Sequence, residues 1–252
     1  LKLSGVTVGT SSCCSAYVSI VNPDGQTNLV QPMSYGTSGL FVDTQTLVTT
    51  GTYTILLDPQ GTATGSTTLT LYDVPADDSG TITAGGAPAT VTTTVPGQNA
   101  KRTFSGTAGQ RISLNIGGVT ISSMTVGIRN PDGQTYLVQP TSFGTSGGAI
   151  DLQTLGSTGT YTIGVDPLSS ATGSATLTLN DIPPDDSGTI TPGGPSVTVT
   201  TTVTGQNAVR TFSGTAGQRI SLRIGNVTIG SSACCSTKVS IQNPGGQTNL
   251  VN

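Results

Sequence analysis

Few side chains of this chain could carry out chemistry. The sequence has no His, which excludes a Ser–His catalytic triad and any metal site with histidine ligands. Its carboxylates recur at equivalent places, in or beside turn residues: Asp24 and Asp132, Asp43 and Asp151, Asp58 and Asp166. Asp side chains in such places commonly cap turns through their own backbone. We therefore predict turn capping rather than acid–base chemistry, with no catalytic residue and no cofactor.

Two acidic clusters offer oxygen ligands for a cation. They lie in "DVPADD" and "DIPPDD" and comprise Asp73, Asp77 and Asp78, and Asp181, Asp185 and Asp186. Carboxylates are ligands that Ca²⁺ prefers, but this spacing fits no defined calcium loop. Calcium at these clusters stays an open hypothesis, and no metal ligand is assigned.

The cysteines form two adjacent pairs in matching contexts. "SSCCS" holds Cys13 and Cys14, and "SACCS" holds Cys234 and Cys235. Neighbouring cysteines are too close for an ordinary disulfide. Each pair either closes a strained vicinal ring, or bonds to other chains or neighbouring repeats, or stays reduced. We predict disulfides, with their partners left open.

One sequon is present. "NVT" makes Asn226 a candidate for N-glycosylation, and Thr-rich faces could carry O-linked glycans. The alternative is that Asn226 is an unmodified turn residue.

All these residues lie in a repeated sequence. "RTFSGTAGQRISL" occupies residues 102–114 and returns unchanged at 210–222, and "NPDGQT" occurs at 22–27 and 130–135 with the same offset. A fixed period of roughly a hundred residues indicates one small domain per repeat. Cutting at the Pro- and Gly-rich acidic runs predicts a complete repeat over residues 81–188. Residues 1–80 then lack the first strands of a repeat, and residues 189–252 lack its last strands.

Within the complete repeat, apolar and polar residues alternate, which is a period of two residues. "RISLNI" places Ile112, Leu114 and Ile116 on one face and polar residues on the other. Turn-bounded alternating segments predict eight strands: 89–95, 102–105, 111–116, 125–129, 136–138, 148–152, 160–165 and 173–179. The predicted core positions are Ile112, Leu114, Ile116, Val126, Ile128, Ile150, Leu152, Tyr161, Ile163, Val165, Leu177 and Leu179. No stretch has helical periodicity. The fold class is therefore all-β, with tandem jelly-roll-like antiparallel sandwiches of about eight strands.

The motifs "FSGTAGQRISL", "VSI-x-NPDG" and "GTYTI-x-VDP" resemble the bacterial pre-peptidase C-terminal domain family. That resemblance implies a jelly-roll-like β-sandwich, found as a secreted accessory module or as repeats in large surface proteins. It implies no catalytic residues.

Composition narrows the function classes. Charged residues make up 8% of the chain and the net charge is −3, with no basic cluster, which argues against nucleic-acid binding. No apolar run reaches the length of a membrane span. We expect an extracellular or cell-surface filament protein whose partners are copies of itself, and glycans are a further candidate. Either the sequence is part of a longer polypeptide of such repeats, or separate subunits exchange strands head to tail. The alternative function is a non-catalytic spacer or a carbohydrate-binding or adhesion module.

Overall fold

The computed structural model describes residues 1–9, 15–230, 237–246 and 249–251. Over these residues the chain forms strands and no helix, so the predicted all-β class is confirmed. The chain divides into two compact units, Leu1–Ile182 and Pro183–Asn252. The first unit holds two separate apolar cores.

The strands follow the sequence repeat in three groups. The open sandwich contains β1 (Lys2–Ser4), β2 (Ala16–Val21), β3 (Asn28–Tyr35), β4 (Leu40–Phe41), β5 (Thr54–Pro59) and β6 (Thr68–Thr70). The closed sandwich contains β7 (Asp78–Thr81), β8 (Ala89–Thr93), β9 (Ala100–Gly106), β10 (Arg111–Gly117), β11 (Ser123–Arg129), β12 (Tyr136–Gly144), β13 (Gly148–Thr154), β14 (Gly159–Pro167) and β15 (Gly173–Asp181). The C-terminal segment, Pro183–Asn252, contains β16 (Asp186–Thr189), β17 (Ala208–Thr211), β18 (Ile241–Gln242) and β19 (Asn249–Val251).

The closed sandwich is built from two sheets. One has the order β13–β10–β15–β8 and the other β12–β11–β14–β9–β7. All eight predicted segments are strands. The ninth strand, β7, lies in a stretch whose Pro, Gly and Asp residues indicate a linker, and it pairs in parallel with β9. The remaining ladders of these two sheets are antiparallel.

The core of the closed sandwich lies between the inner faces of these sheets. The predicted core positions are buried, with one exception. Leu152 is only half-buried, so that prediction is wrong, and Leu155 is buried in its stead at 1% exposure. The reason is a bulge: Leu114 pairs with Ile150 but Ile112 pairs with Gln153, which leaves one extra residue in β13. An extra residue reverses the alternation beyond it.

The open sandwich has the same order of strands but fewer of them. Its sheets are β4–β1–β6 and β3–β2–β5, which correspond to β13–β10–β15 and β12–β11–β14. The strands that would correspond to β7, β8 and β9 are not part of it. Consequently β5 and β6 are edge strands, and β6 has three residues where β15 has nine.

We predict that the same substitution has different effects in the two sandwiches. Leu177 in β15 is 0% exposed, whereas its equivalent Leu69 in β6 is 40% exposed. Leu177→Ala should lower the free energy of unfolding by about 2–5 kcal/mol, because it leaves a cavity in a packed core. Leu69→Ala should lower it by less than about 1 kcal/mol. Urea unfolding of the unassembled protein measures both, and equal losses would show that the open sandwich is covered as well as the closed one.

Candidate functional site: the arginine clamp and the uncovered core

The side chain of Arg102 joins three strands of the closed sandwich. Arg102 is 7% exposed, and its Nη2 donates to Asp78 Oδ2 at 3.0 Å and to the Thr90 carbonyl at 2.5 Å. Its Nη1 donates to the carbonyls of Asp78 at 3.1 Å and Lys101 at 2.9 Å. The Thr92 backbone N–H donates to the same Asp78 Oδ2 at 2.7 Å. This arginine clamp thereby fixes β7 and β8 to β9, across both sheets.

The clamp also sets the charge state of its carboxylate. The hydrogen bond from Arg102 holds the pKa of Asp78 below its usual range, and the Thr92 N–H acts in the same direction. Asp78 sits at the end of the run that joins the two sandwiches. A run that looks like a linker in sequence therefore begins the next sandwich.

The C-terminal segment contains a second copy of the clamp. Arg210 Nη2 donates to both carboxylate oxygens of Asp186 at 2.9 Å, and its Nη1 donates to the Asp186 carbonyl at 2.7 Å. The Thr200 N–H donates to Asp186 Oδ2 at 2.7 Å, and Arg210 Nη2 donates to the Thr198 carbonyl at 3.1 Å. β16 runs parallel to β17, as β7 does to β9. The pKa of Asp186 is lowered by the hydrogen bond from Arg210.

Apolar side chains of the clamped C-terminal segment are exposed. Phe212 is 37% exposed while its equivalent Phe104 is 3% exposed, and Val199 is 39% exposed while Val91 is 0% exposed. In the closed sandwich, Phe104 stacks on Tyr161 with ring centroids 5.3 Å apart. Phe212 and Val199 therefore present to solvent the face that β8 and β9 present to a core.

The open sandwich shows the complementary exposure. Leu71 is 70% exposed, against 1% for its equivalent Leu179. Tyr53 donates its hydroxyl to the Thr49 carbonyl at 2.8 Å, just as Tyr161 donates to Ser157 at 2.7 Å. However, Tyr53 is half-buried whereas Tyr161 is fully buried. The local conformation is thus the same in both sandwiches, and only the cover differs.

The turn carboxylates have structural roles. Asp132 Oδ1 accepts from the N–H groups of Gln134 and Thr135 at 2.9 Å, and its Oδ2 accepts from Thr135 Oγ1 at 2.6 Å. Asp24 makes the same three bonds in the open sandwich. These bonds lower the pKa of both carboxyls. The prediction of turn capping agrees with this geometry.

The other recurring carboxylates differ from one another in their hydrogen-bond partners and in their surroundings. Asp43 and Asp151 each accept from the next backbone N–H, at 2.7 and 2.8 Å. Asp58 Oδ2 accepts from Gln60 Nε2 at 3.2 Å. Burial raises the pKa of Asp166, and the nearby negative charge of Asp43 raises it further.

The two acidic clusters do not gather into a metal site. Asp78 and Asp186, one from each cluster, form ion pairs with arginine. In the part of the chain that the structure describes, no group of three or more acidic or cysteine side chains could hold a metal ion. The cysteines Cys13, Cys14, Cys234 and Cys235 lie outside the described residues. Their predicted disulfides stay a prediction.

Asn226 is exposed in a turn with a positive φ of 53°. Its equivalents Gly118 and Gly5 have φ values of 55° and 56°. Asn is among the few residues that tolerate this conformation, so turn geometry alone accounts for Asn at this position. The backbone and exposure leave the side chain accessible for modification.

The clamp was not predicted from the sequence. Arg102 and Arg210 begin the repeated "RTFSGTAGQRISL", and the acids Asp78 and Asp186 recur with the same offset in "DDSGTIT". A charged pair that recurs in a chain with so few charges was the available signal. It was hidden because β7 contains no apolar side chain except at its flank, where Ile82 is buried.

No protein-family model matches the sequence, and no curated protein matches it. Among solved structures, the chain is similar to the pre-peptidase C-terminal domain of a collagenase from Bacillus anthracis, at 14% identity and a TM-score of 0.33, over 43% of this chain and 100% of that domain. It is similar to PliG of Aeromonas hydrophila, a periplasmic inhibitor of g-type lysozyme, at 16% identity and a TM-score of 0.28, over 42% and 100% of the two chains.

A further similar structure belongs to the carbohydrate-binding modules of the β-sandwich superfamily, at 18% identity and a TM-score of 0.23, over 70% of this chain and 85% of that one. The family that the sequence motifs resemble is therefore among the similar structures. In the described residues, no helix has the length and apolar character needed to span a membrane.

We predict that Arg102→Met detaches β7 and lowers the free energy of unfolding by about 2 kcal/mol, because hydrogen bonds to a charged group are lost. The control is Arg129→Met, whose guanidinium lies 4.2 Å from the ring centre of Tyr136 and should contribute only about 0.5 kcal/mol. Urea unfolding measures both variants.

The effect of Arg102→Met should depend on pH. The pKa of Asp78 is lower folded than unfolded, so its contribution is present above the unfolded value of about 4 and is lost as pH falls through the folded value. The difference between wild type and Arg102→Met should therefore shrink below about pH 4. A constant difference down to pH 2 would contradict a role for the Asp78 charge.

Proposed function

We propose that this chain is a structural segment of an extracellular filament or surface fibre, built from β-sandwich repeats joined head to tail, with no catalytic role. The observation that carries the proposal is the recurrence of one sandwich along the chain at a fixed offset, with the same turn and clamp contacts in successive repeats.

The low net charge of the chain also suits assembly. With a net charge of −3 over 252 residues, the repulsion that opposes packing of identical units is small.

The chemistry of the side chains also supports a structural role. The recurrent carboxylates are engaged in turns and clamps, and these arrangements recur from one repeat to the next. Repetition of the same stabilising contacts suits a protein whose function is to build a long fibre from similar domains. An extracellular location is part of the proposal, since bonds between the cysteine pairs would persist only in an oxidising compartment.

One surface favours a second candidate, a carbohydrate-binding or adhesion module. A depression on the outer face of β2, β3 and β5 is lined by Tyr17, Ser19, Pro32, Leu56, Asp58 and Gln60. Tyr17 is 36% exposed beside a carboxylate and an amide, a combination that suits a sugar ring. In the closed sandwich Thr125 and Gly127 stand in place of Tyr17 and Ser19, so this surface is not common to the repeats. Binding to a glycan array that is lost in Tyr17→Ala would favour this function.

The test of the filament role is electron microscopy of the purified 252-residue protein over a range of concentrations. We expect uniform linear fibres that lengthen with concentration. Sedimentation of the same samples should show a matching loss of the 25.2 kDa species. A folded 25.2 kDa monomer that stays monomeric at every concentration would overturn the proposal.

We also propose that Asn226 is glycosylated in the natural material, because its side chain is exposed in a turn within an "NVT" sequon. Intact-mass measurement of native protein should show hexose and N-acetylhexosamine increments above 25.2 kDa, located by digestion to the peptide that contains Asn226. A native mass equal to that of the bare sequence would show that Asn226 is an unmodified turn residue.

A further inference from the structure

We propose that the turn between β8 and β9 is a docking element, which holds each sandwich in one fixed orientation on the sandwich before it. This docking turn comprises residues 95–98, and its partner surface is residues 41–44 of the open sandwich. Domains on a linker move relative to one another unless contacts between them prevent it. The inference goes beyond the proposed function, because it concerns two domains of a single molecule and needs no fibre to be tested.

A hydrogen bond joins the two sandwiches directly. Thr44 Oγ1 donates to the Gly97 carbonyl at 2.5 Å. Thr44 follows β4, which lies at the edge of its sheet opposite to β6, and Gly97 belongs to the docking turn. Hydrogen bonds weaken steeply when their geometry departs from linear, so this bond opposes rotation of one sandwich against the other.

The packing around Gly97 leaves no room for a side chain. Gly97 is buried although it belongs to a turn, whereas Gly109, in the turn between β9 and β10, is exposed. A Cβ atom at Gly97 would lie 2.5 Å from Thr44 Oγ1 and 3.6 Å from the ring of Phe41. A Cβ atom at Gly109 would meet nothing within 4 Å. The preceding sandwich is therefore what covers Gly97.

The docking turn is held in shape by its own sandwich. Gln98 is 7% exposed, and its Oε1 accepts from the N–H of Thr94 at 2.8 Å and from the Thr94 hydroxyl at 3.2 Å. The backbone N–H of Gln98 donates to the Val95 carbonyl at 3.0 Å. Its Nε2 donates at 2.8 Å to the carbonyl of Ala76, in the segment that connects β6 to β7. One side chain thus fixes both the docking turn and the connecting segment.

The C-terminal segment contains the same turn. Gln206 Oε1 accepts from the N–H and the hydroxyl of Thr202 at 2.7 and 3.1 Å, and its Nε2 donates to the Pro184 carbonyl at 2.9 Å. The Gln206 N–H donates to the Val203 carbonyl at 3.1 Å. A docking turn bonded to the segment before it is therefore a feature of the repeat.

A groove between the open and the closed sandwich provides a second sign of their contact. Its charged lining residues are Lys2 and Asp43 of the open sandwich and Asp166 of the closed sandwich. Burial raises the pKa of Asp166, and the negative charge of Asp43 raises it further. Both causes depend on the sandwiches staying together, so the pKa of Asp166 reports on the junction.

A distance measurement in dilute, unassembled protein tests the fixed orientation. Met33 and Thr141 occupy equivalent exposed positions on β3 and β12. We replace both by p-acetylphenylalanine, attach nitroxides to the ketones so that the native cysteines stay unlabelled, and measure the distance by pulsed electron paramagnetic resonance. The expected result is one narrow distance distribution. A broad distribution, as for domains on a flexible linker, would overturn the inference.

Two matched glycine substitutions in the labelled protein test the docking turn. Gly97 and Gly109 have φ values of 88° and 82°, so alanine meets the same backbone strain at both, but only at Gly97 does its Cβ meet the other sandwich. Gly97→Ala should shift the distribution or widen it about twofold, and Gly109→Ala should leave it unchanged. Thr44→Val removes the hydrogen-bond donor without backbone strain and should act like Gly97→Ala. Circular dichroism controls for folding.

Titration of Asp166 by NMR gives an independent readout. Asp43→Asn should lower the pKa of Asp166, because it removes a nearby negative charge. Gly97→Ala should lower it as well, because it separates the sandwiches, and Gly109→Ala should leave it unchanged. A pKa of Asp166 that does not respond to Asp43→Asn would show that the two sandwiches are apart in solution.

The outcomes separate this inference from the proposed function. A narrow distribution that responds to Gly97→Ala and Thr44→Val but not to Gly109→Ala supports the docking turn, whether or not fibres form. An unchanged distribution in either of the first two variants, or an equal response in the third, overturns it. Fibres formed by a protein with a broad distribution would overturn the docking turn while the filament role stands.

Discussion

Cover of the inner sheet faces by β8 and β9 is the constraint on which the rest of this structure depends. In the closed sandwich these strands bring Val91 and Phe104 onto Leu177 and Tyr161, and all four side chains are at most 3% exposed. Where the equivalent strands are not part of the sandwich, β5 and β6 become edges and Leu69 and Leu71 are exposed. These two strands therefore account for the difference in exposure between equivalent residues of the two sandwiches.

The arginine clamp holds the covering strands β8 and β9 in place by bonding both to β7. β7 and β9 run parallel, an arrangement that no tight turn can join. The buried guanidinium of Arg102 compensates by bonding to the carboxylate and the carbonyl of Asp78 at once. The clamp recurs between Arg210 and Asp186, where β16 pairs in parallel with β17.

Local patterns predicted most of this fold, and non-local contacts limited the prediction. Alternation identified Ile112, Leu114 and Ile116 as core because each strand face is read directly from the sequence. It failed at Leu152, since a bulge depends on the pairing of β13 with β10. The strand β7 resembled a linker because its residues are polar and its partner is distant. The cysteine pairs fall outside the described residues, so their chemistry rests on the sequence alone.

Hydrogen–deuterium exchange of the 252-residue protein tests the central claim most directly, because it compares two equivalent regions in one molecule. The account predicts that the amides of β14 and β15, which pair with β9 and β8, exchange at least tenfold more slowly than those of their equivalents β5 and β6, which are edge strands. Equal exchange rates in the two pairs of strands would contradict the claim that β8 and β9 protect the core of the closed sandwich.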